Sequence, residues 1–245
     1  TVTKLIAAGT PPDVVNLTND RLFTYIQAAA LLPLEELMDV NDPLFNQPLI
    51  DTCRWRGHVF GVNGDPLVKG YIVNKTMFEN NGLETPWSLY EKGKWDWNAF
   101  RDACIALTQD TNGDGEIDVW GADLWMGDIT IFPQANGANW LIIDKNEPKV
   151  TFGLDDPRAI EALQFVQECV LKYGCLTTSV KKQEWPNGKL AMVYESYGAI
   201  KKWVEAGLSF DWEFVPFPKA PNGTSGAMPG TIGRWGVPRG AKNPL

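Results

Sequence analysis

The sequence has little of the chemistry that most catalytic centres use. Its one histidine, His58, removes most routes to a Ser-His-Asp or Cys-His nucleophile. The four cysteines form no Cys-x-x-Cys pair and have no accompanying histidines, so they do not resemble a zinc or iron–sulfur site. We expect free or buried thiols.

Basic residues are in the minority, with 22 lysines and arginines against 30 acidic residues and a formal charge of −8. This charge argues against nucleic-acid phosphate or an anionic membrane surface as a partner. No apolar run reaches the length of a transmembrane helix, and no signal peptide is present. The chain opens abruptly on a helix pattern, which suggests trimmed ends.

Hydrophobic residues make up 44% of the 245 residues, which predicts a folded globular protein. Eleven of those residues are tryptophans, a high count for this length. Aromatic faces suit stacking on sugar rings, although packing alone accounts for more than half of such a set.

Strands and helices alternate along the chain, which predicts an α/β architecture with largely parallel sheets. Asp96 is a cap candidate for one helix, and Asp156 followed by Pro157 is a typical start for another. Predicted helices cover residues 2–8, 21–31, 95–107 and a segment from 157 to Gly174, and predicted strands cover residues 13–17, 67–73, 190–194 and 210–215. In the helix that begins at Pro157, the predicted buried stripe is Ile160, Leu163, Val166 and Val170.

Residues 110–118 have the spacing of a calcium-binding loop, with oxygen side chains at alternate positions and Gly115 at the sharp turn. The predicted ligands are Asp110, Asn112, Asp114, Glu116 and Asp118. A glutamate is missing from the twelfth position, where Gly121 stands, so any site is weak. A solvated turn is the alternative, since these residue types are common turn formers.

Six segments, taken in order and covering nearly the whole chain, resemble motifs of one family. They are Gly-His-Val-Phe-Gly-Val at 57–62, residues 73–83 with Asn-Lys and Gly-Leu, Trp-Asp-Trp-Asn-Ala-Phe at 95–100, Val-Trp-Gly at 119–121, Asn-Gly-Lys-Leu-Ala-Met at 187–192 and Val-Pro-Phe-Pro at 215–218. This order resembles the extracellular solute-binding proteins that deliver carbohydrates to ABC importers. His58, Phe60 and Asn63 depart from the commonest residues of the first motif.

The resemblance implies an α/β, two-lobe, periplasmic-binding-protein-like fold of type II with a ligand cleft between the lobes. The implied first lobe covers residues 1–70 and 218–245, without the family's opening strand and closing helices, and the second covers 71–217. It also implies a monomer with no catalytic residues, no required cofactor, and a carbohydrate and permease subunits as partners. Structural Ca²⁺ is an additional expectation, and the implied location is extracellular, as a lipoprotein or in the periplasm.

Ligand residues are expected in loops that follow strands, because ligands of open α/β sheets sit beyond the carboxyl ends of strands. In the second lobe, Glu195 and Tyr197 match a family segment that often faces the ligand. Between Arg234 and Trp235, alternation lets either side chain face the cleft, but not both. The full predicted set is Asn19, Asp20, Asp65, Trp125, Trp140, Glu195, Tyr197, Arg234 and Trp235. Trp185 is expected to pack instead.

Two other functions fit parts of the sequence. A glycoside hydrolase would use two carboxylates such as Asp65 and Glu195, and turnover of a bound glycan would distinguish it. A calcium-dependent adhesion module would rest on residues 110–118, and chelation would disrupt its fold or its contacts. The ordered motifs favour solute binding over both.

Overall fold

The computed structural model describes residues 2–66, 68–124, 128–139, 141–143, 150–179, 182–223 and 232–244. The chain divides into two compact units. Unit 1 consists of Thr1–Leu67, Ile143–Val150 and Thr231–Leu245, and unit 2 consists of Val68–Ile142 and Thr151–Gly230. Among the described residues, no helix combines the length and the apolar character needed to cross a bilayer.

Unit 1 contains a three-stranded sheet in the order β1 (Val15–Leu17), β12 (Ile232–Gly236) and β4 (Val62–Pro66), and both neighbouring pairs are antiparallel. The helices of this part of the chain are α1 (Val2–Ala7), α2 (Asn19–Gln27) and α3 (Gln47–Asp51). Strands β2 (Arg54–Trp55) and β3 (His58–Val59) form a hairpin. Arg56 and Gly57 form its turn with φ of 49° and 84°, since a tight hairpin turn favours positive φ at both central residues.

Unit 2 contains a five-stranded mixed sheet. Its order is β11 (Trp212–Val215), β5 (Lys69–Asn74), β10 (Leu190–Ser196), β6 (Trp120–Asp123) and β9 (Leu176–Thr177). The pairs of β5 with β11 and with β10 are antiparallel, whereas β6 runs parallel to both β10 and β9. The prediction of largely parallel sheets is therefore wrong, because β5 enters from the opposite direction.

The remaining elements follow the same chain order. The helices are α4 (Lys75–Asn80), α5 (Pro86–Glu91), α6 (Trp97–Leu107), α7 (Ile131–Ala135), α8 (Pro157–Gln167) and α9 (Tyr197–Ala206). A separate two-stranded sheet pairs β7 (Leu141–Ile143) with β8 (Val150–Phe152).

Two predicted helix starts are confirmed. The Asp96 carboxylate accepts a hydrogen bond from the Ala99 N–H at 2.9 Å at the start of α6. Asp156 accepts from the Arg158 N–H at 2.9 Å at the start of α8, with Pro157 as the first helical residue. Each cap satisfies a backbone donor that has no partner within its own helix.

The predicted buried stripe of α8 is confirmed at Val166, with Val170 partly buried against the same core, and is wrong at Ile160. The buried residues are Ala159, Ala162 and Val166, and Ile160 is 44% exposed. Helix α7 packs against α8, and the small alanine side chains allow the two backbones to approach closely. Hydrophobicity alone favoured the larger side chains, but close packing of neighbouring helices decided which face turned inward.

Aromatic rings fill much of the unit 2 core. Trp97 stacks on Phe165 with ring centroids 4.6 Å apart, and Phe132 meets Phe217 at 4.9 Å. Trp185 is fully buried and lies against Trp203, which confirms the expectation that it packs.

Candidate functional site

Polar side chains collect where three strands of the unit 2 sheet end. Glu195 lies near the end of β10 and pairs across the sheet with Gly70 of β5. Strands β6 and β9 run parallel to β10 and end at Asp123 and Thr177. Because carboxyl ends of strands are where α/β sheets bind ligands, this surface is the candidate site, here named the carboxyl edge of unit 2.

Glu195 is held between a lysine and a backbone amide. Lys182 Nζ lies 3.2 Å from one carboxylate oxygen, and the Ser196 N–H donates to the other at 2.7 Å. Burial raises the pKa of Glu195, but the Ser196 N–H, the Lys182 hydrogen bond and the charges of Lys182 and Lys69 together bring it below its usual value. Glu195 is therefore an ionised hydrogen-bond acceptor near neutral pH.

A second ion pair involves Lys69, the first residue of the neighbouring strand β5. Lys69 Nζ is 3.3 Å from Asp128 Oδ1, and both side chains are about four-fifths buried, with 18% and 20% exposed. The same ammonium group lies 5.6 Å from the ring centroid of Tyr194. Burial raises the pKa of Tyr194, and the charges of Asp128 and Glu195 raise it further, so its hydroxyl stays neutral.

Tyr197, two residues after Glu195, presents an aromatic surface. It is the first residue of α9 and is 58% exposed. Its ring meets Phe214 edge-on with centroids 5.6 Å apart, and its N–H donates to the Val68 carbonyl at 3.0 Å. The ring is thus positioned by neighbours on one side and open to solvent on the other.

In unit 1, strand alternation places Arg234 and Trp235 on opposite faces of β12. Arg234 is 7% exposed, and its Nη2 donates to Thr52 Oγ1 at 3.1 Å. Trp235 is 44% exposed and lies across Gly64, where a Cβ atom would come within 2.4 Å of the indole Nε1. Trp235 is consequently the member of this pair whose ring solvent reaches.

Asn63 pairs with Arg234 across the same sheet. Its amide oxygen and nitrogen are both buried, and neither has a hydrogen-bond partner among the residues that the structure describes. An unpartnered buried amide is costly, by roughly 1–3 kcal/mol for each group.

The structure describes the other predicted ligand residues only in part. Trp125 and Trp140 lie outside the described residues. Asn19 and Asp20 begin α2 and Asp65 belongs to β4, but the side chains of these three residues lie outside the described part of the chain.

The acidic loop at residues 110–118 is held by its own hydrogen bonds. Asp110 accepts from the N–H groups of Asn112, Gly113 and Gly115 at 2.7–3.2 Å. Asp118 accepts from the N–H and hydroxyl of Thr111 at 2.9 and 2.7 Å.

Asn112 and Asp114 likewise accept from the N–H groups of Asp114 and Glu116, both at 2.8 Å. In the described residues, no three His, Cys, Asp or Glu side chains are grouped so that they could hold a metal ion. Oxygens of Asp110, Asn112, Asp114 and Asp118 accept from the loop's own N–H groups. The calcium site that the spacing predicts at Asp110, Asn112, Asp114, Glu116 and Asp118 stays a prediction.

Sequence reasoning missed Lys69, Asp128 and Lys182. Lys69 lies within the predicted strand at 67–73, but neither lysine stands at a helical spacing from its carboxylate partner. Lys69 and Asp128 are 59 positions apart, and Lys182 and Glu195 are 13 apart. Only the tertiary structure brings these pairs together.

Comparison with known proteins identifies the family. The family described as "Bacterial extracellular solute-binding protein" matches residues 1–244. No curated protein matches the sequence.

Solved structures share the fold at low sequence identity. An ABC substrate-binding protein from Listeria monocytogenes in complex with cycloalternan has a TM-score of 0.74 at 19% identity, covering 99% of this chain and 61% of that one. UgpB from Mycobacterium tuberculosis, in complex with glycerophosphocholine, has a TM-score of 0.76 at 19% identity, with 99% and 59% covered. MalE from Bdellovibrio bacteriovorus, bound to maltotriose, has a TM-score of 0.73 at 16% identity, with 99% and 61% covered.

The chain spans about three fifths of the length of these structures. Their similarity confirms the predicted α/β, periplasmic-binding-protein-like fold class. The family match over residues 1–244 shows that the chain belongs to the bacterial extracellular solute-binding proteins.

Proposed function

We propose that this protein binds an extracellular carbohydrate, an oligosaccharide, and delivers it to an ABC import permease by hinge closure. Family membership supports the transport role. Two of the similar structures hold cycloalternan and maltotriose. The observation that carries the proposal is the carboxyl edge of unit 2, where the ionised Glu195 is followed two residues later by the exposed ring of Tyr197.

These groups match the needs of a sugar. A hydroxyl removed from water needs a hydrogen-bond partner, or it costs about 1–3 kcal/mol. Glu195 supplies an acceptor, and Lys182 and Lys69 supply donors within the same edge. The ring of Tyr197 offers a flat face for the C–H side of a pyranose.

The charge balance favours a neutral ligand. Lys182 lies 3.2 Å from Glu195, and Lys69 lies 3.3 Å from Asp128, so two positive and two negative charges cancel. An anion would have to compete with a carboxylate for each of these lysines. The edge therefore fits a neutral sugar better than the phosphodiester of glycerophosphocholine, which UgpB from M. tuberculosis holds.

In unit 1 we propose Trp235 as a stacking surface, because its ring is 44% exposed. Asn19, Asp20, Asp65, Trp125, Trp140 and Arg234 stay predictions of the sequence.

Isothermal titration calorimetry of the full-length protein tests the proposal. The ligands are maltotriose, mannobiose, a cyclic glucan and glycerophosphocholine. We expect a neutral oligosaccharide to bind and Glu195→Gln to weaken it by about 10–100-fold, because a hydrogen bond to a charged group contributes about 1.5–3 kcal/mol. Glu205→Gln is the matched control, since Glu205 lies on exposed α9 with only a 3.9 Å contact to Lys201.

Two results would contradict the proposal. The first is binding of glycerophosphocholine with no response to any sugar. The second is sugar binding that Glu195→Gln leaves unchanged, which would move the site away from the carboxyl edge of unit 2.

Incubating the same protein with a glycan tests the hydrolase alternative. A general acid needs a raised pKa, whereas the pKa of Glu195 is lowered, so the structure gives it the character of an acceptor. We expect maltotriose incubated for days with the protein to be recovered intact by chromatography. Cleavage that disappears in Glu195→Gln would instead favour an enzyme.

We further propose that the protein works as a monomer outside the cytoplasm, as a lipoprotein or a periplasmic protein. Its family of extracellular solute-binding proteins supports this location. Sedimentation of the full-length protein tests whether it is a monomer, and fractionation of its source cells tests its location.

Calcium binding by the acidic loop stays a prediction. Gly121 stands where a bidentate glutamate would complete the loop, so any affinity belongs to the weak class, roughly 10⁻⁴–10⁻³ M. Melting curves with 5 mM calcium, magnesium or EGTA test it. We expect calcium alone to raise the melting temperature slightly, by mass action on the folded state. Equal curves in all three would leave the loop as a solvated turn.

A further inference from the structure

Three of the four cysteines meet in the core of unit 2. Cys104 belongs to α6, Cys169 to the π-helical turn Glu168–Lys172 that extends α8, and Cys175 immediately precedes β9. All three are fully buried in one apolar cluster. Cys53, the fourth cysteine, is buried in a separate cluster in unit 1.

Backbone contacts hold the three residues together. The Cys175 N–H donates to the Cys169 carbonyl at 3.0 Å, and the Cys175 thiol reaches the same oxygen at 3.5 Å. The Thr108 hydroxyl lies 2.8 Å from the Cys104 carbonyl and 3.3 Å from the Cys175 carbonyl, so it bridges α6 to the start of β9.

Cys175 is the common neighbour. Its thiol lies 3.5 Å from the Cys169 carbonyl oxygen, and the Thr108 hydroxyl links its carbonyl to that of Cys104. Burial raises the pKa of Cys104, whereas hydrogen bonds from Cys104 and Cys169 lower the pKa of Cys175. A thiolate is the nucleophile of disulfide exchange, so Cys175 is the sulfur best suited to attack.

We propose that Cys104, Cys169 and Cys175 form a buried thiol–disulfide site, in which Cys175 forms a disulfide with one neighbour and the third cysteine remains a thiol. The family is extracellular, and disulfides persist in that environment. One disulfide uses two of the three clustered sulfurs, so one thiol remains beside it. The third thiol can therefore attack the bond and exchange partners.

The oxidant is a small disulfide such as oxidised glutathione. The Cys175 thiolate attacks one of its sulfurs, forms a mixed disulfide and releases one glutathione thiolate. The thiolate of Cys104 or Cys169 then attacks the Cys175 sulfur and releases the second. Two protein thiols lose two protons and two electrons, and one small disulfide becomes two thiols.

The cluster is fully buried, so exchange requires local opening, and gentle warming during oxidation allows it. The protein is reduced, freed of reductant, incubated with oxidised glutathione, and then denatured for thiol counting. We expect the count to fall from four to two. A peptide map should place Cys175 in the new disulfide, and the oxidised form should melt several degrees higher.

Single cysteine variants show which cysteines form the disulfide. Cys53→Ala should still lose two thiols, and so should at least one of Cys104→Ala and Cys169→Ala, which identifies the partner. Cys175→Ala should lose none, with circular dichroism confirming that it folds. The proposal is overturned if the wild-type protein keeps four thiols, if Cys53 is in the bond, or if Cys175→Ala still oxidises.

Discussion

Gly121 is the position at which one added methyl group should most disturb unit 2. It lies in β6 against α6, and a Cβ there would come within 2.3 Å of the Cys104 carbonyl oxygen, 2.5 Å of its Cα and 2.7 Å of its carbonyl carbon. Real Cβ atoms essentially never approach closer than 3.0 Å. All three neighbours are backbone atoms, so no change of rotamer relieves the clash in Gly121→Ala.

The strand and the helix must therefore separate by about 1 Å, in an interior that is close-packed. Overpacking of this kind costs about 1–3 kcal/mol. The Gly121 N–H also donates to Thr108 Oγ1 at 2.9 Å, and separation weakens that hydrogen bond. Its loss adds about 1 kcal/mol. Because β6 lies inside the sheet, we expect the two contributions together to lower the free energy of unfolding by about 3–4 kcal/mol. This lowers the melting temperature by roughly 6–15 °C.

Thermal unfolding followed by circular dichroism measures this change. Gly198→Ala is the matched control, because Gly198 lies in α9, has nothing within 4 Å of its Cβ position and does not need positive φ. The control should be neutral or stabilised by up to about 1 kcal/mol. If Gly121→Ala melts within about 2 °C of the wild type, the close approach of α6 and β6 is not what this glycine provides.

Two further predictions concern polar groups. Asn63→Leu should leave the free energy of unfolding unchanged or raise it by up to about 1 kcal/mol, because the buried amide has no partner among the described residues; chemical denaturation checks this, and a loss of more than about 1 kcal/mol would mean that the amide is satisfied within the fold. Asp110 should contribute stability that disappears in acid. Backbone N–H groups of Gly115 and Gly113 lower its pKa in the folded state, so its contribution is present above the unfolded value of about 3.9 and is lost as the pH falls through the folded pKa. The melting-temperature difference between wild type and Asp110→Asn should accordingly shrink from pH 7 to pH 3, and a constant difference would refute the carboxylate's role.

Local signals predicted local structure well. The caps at Asp96 and Asp156 are confirmed because a side chain and the N–H groups it satisfies lie within three residues of each other. The family motifs carry similar information: Gly188 of the Asn-Gly-Lys segment has φ of 70°, which favours glycine, and Gly121 of Val-Trp-Gly leaves no room for a Cβ beside the Cys104 backbone of α6.

Spacing alone does not decide between two outcomes that share the same residues. The oxygens at residues 110–118 suit either a cation or the loop's own N–H groups; in the structure they accept from those N–H groups, and calcium binding stays a prediction. Periodicity likewise identified α8 as a helix, but Ile160 turned outward while Ala162 turned inward.

The sequence by itself determined the α/β class, the helix starts and the family, because each depends on residues close in the chain or on the order of motifs. The tertiary structure decided the strand directions, the inward face of α8, the pairing of Lys182 with Glu195 and the meeting of Cys104 with Cys175. These depend on which distant segments pack together. Packing selects among helix faces and side-chain partners that are locally equivalent. Residues close in the sequence therefore predict neither the buried face nor the distant partner.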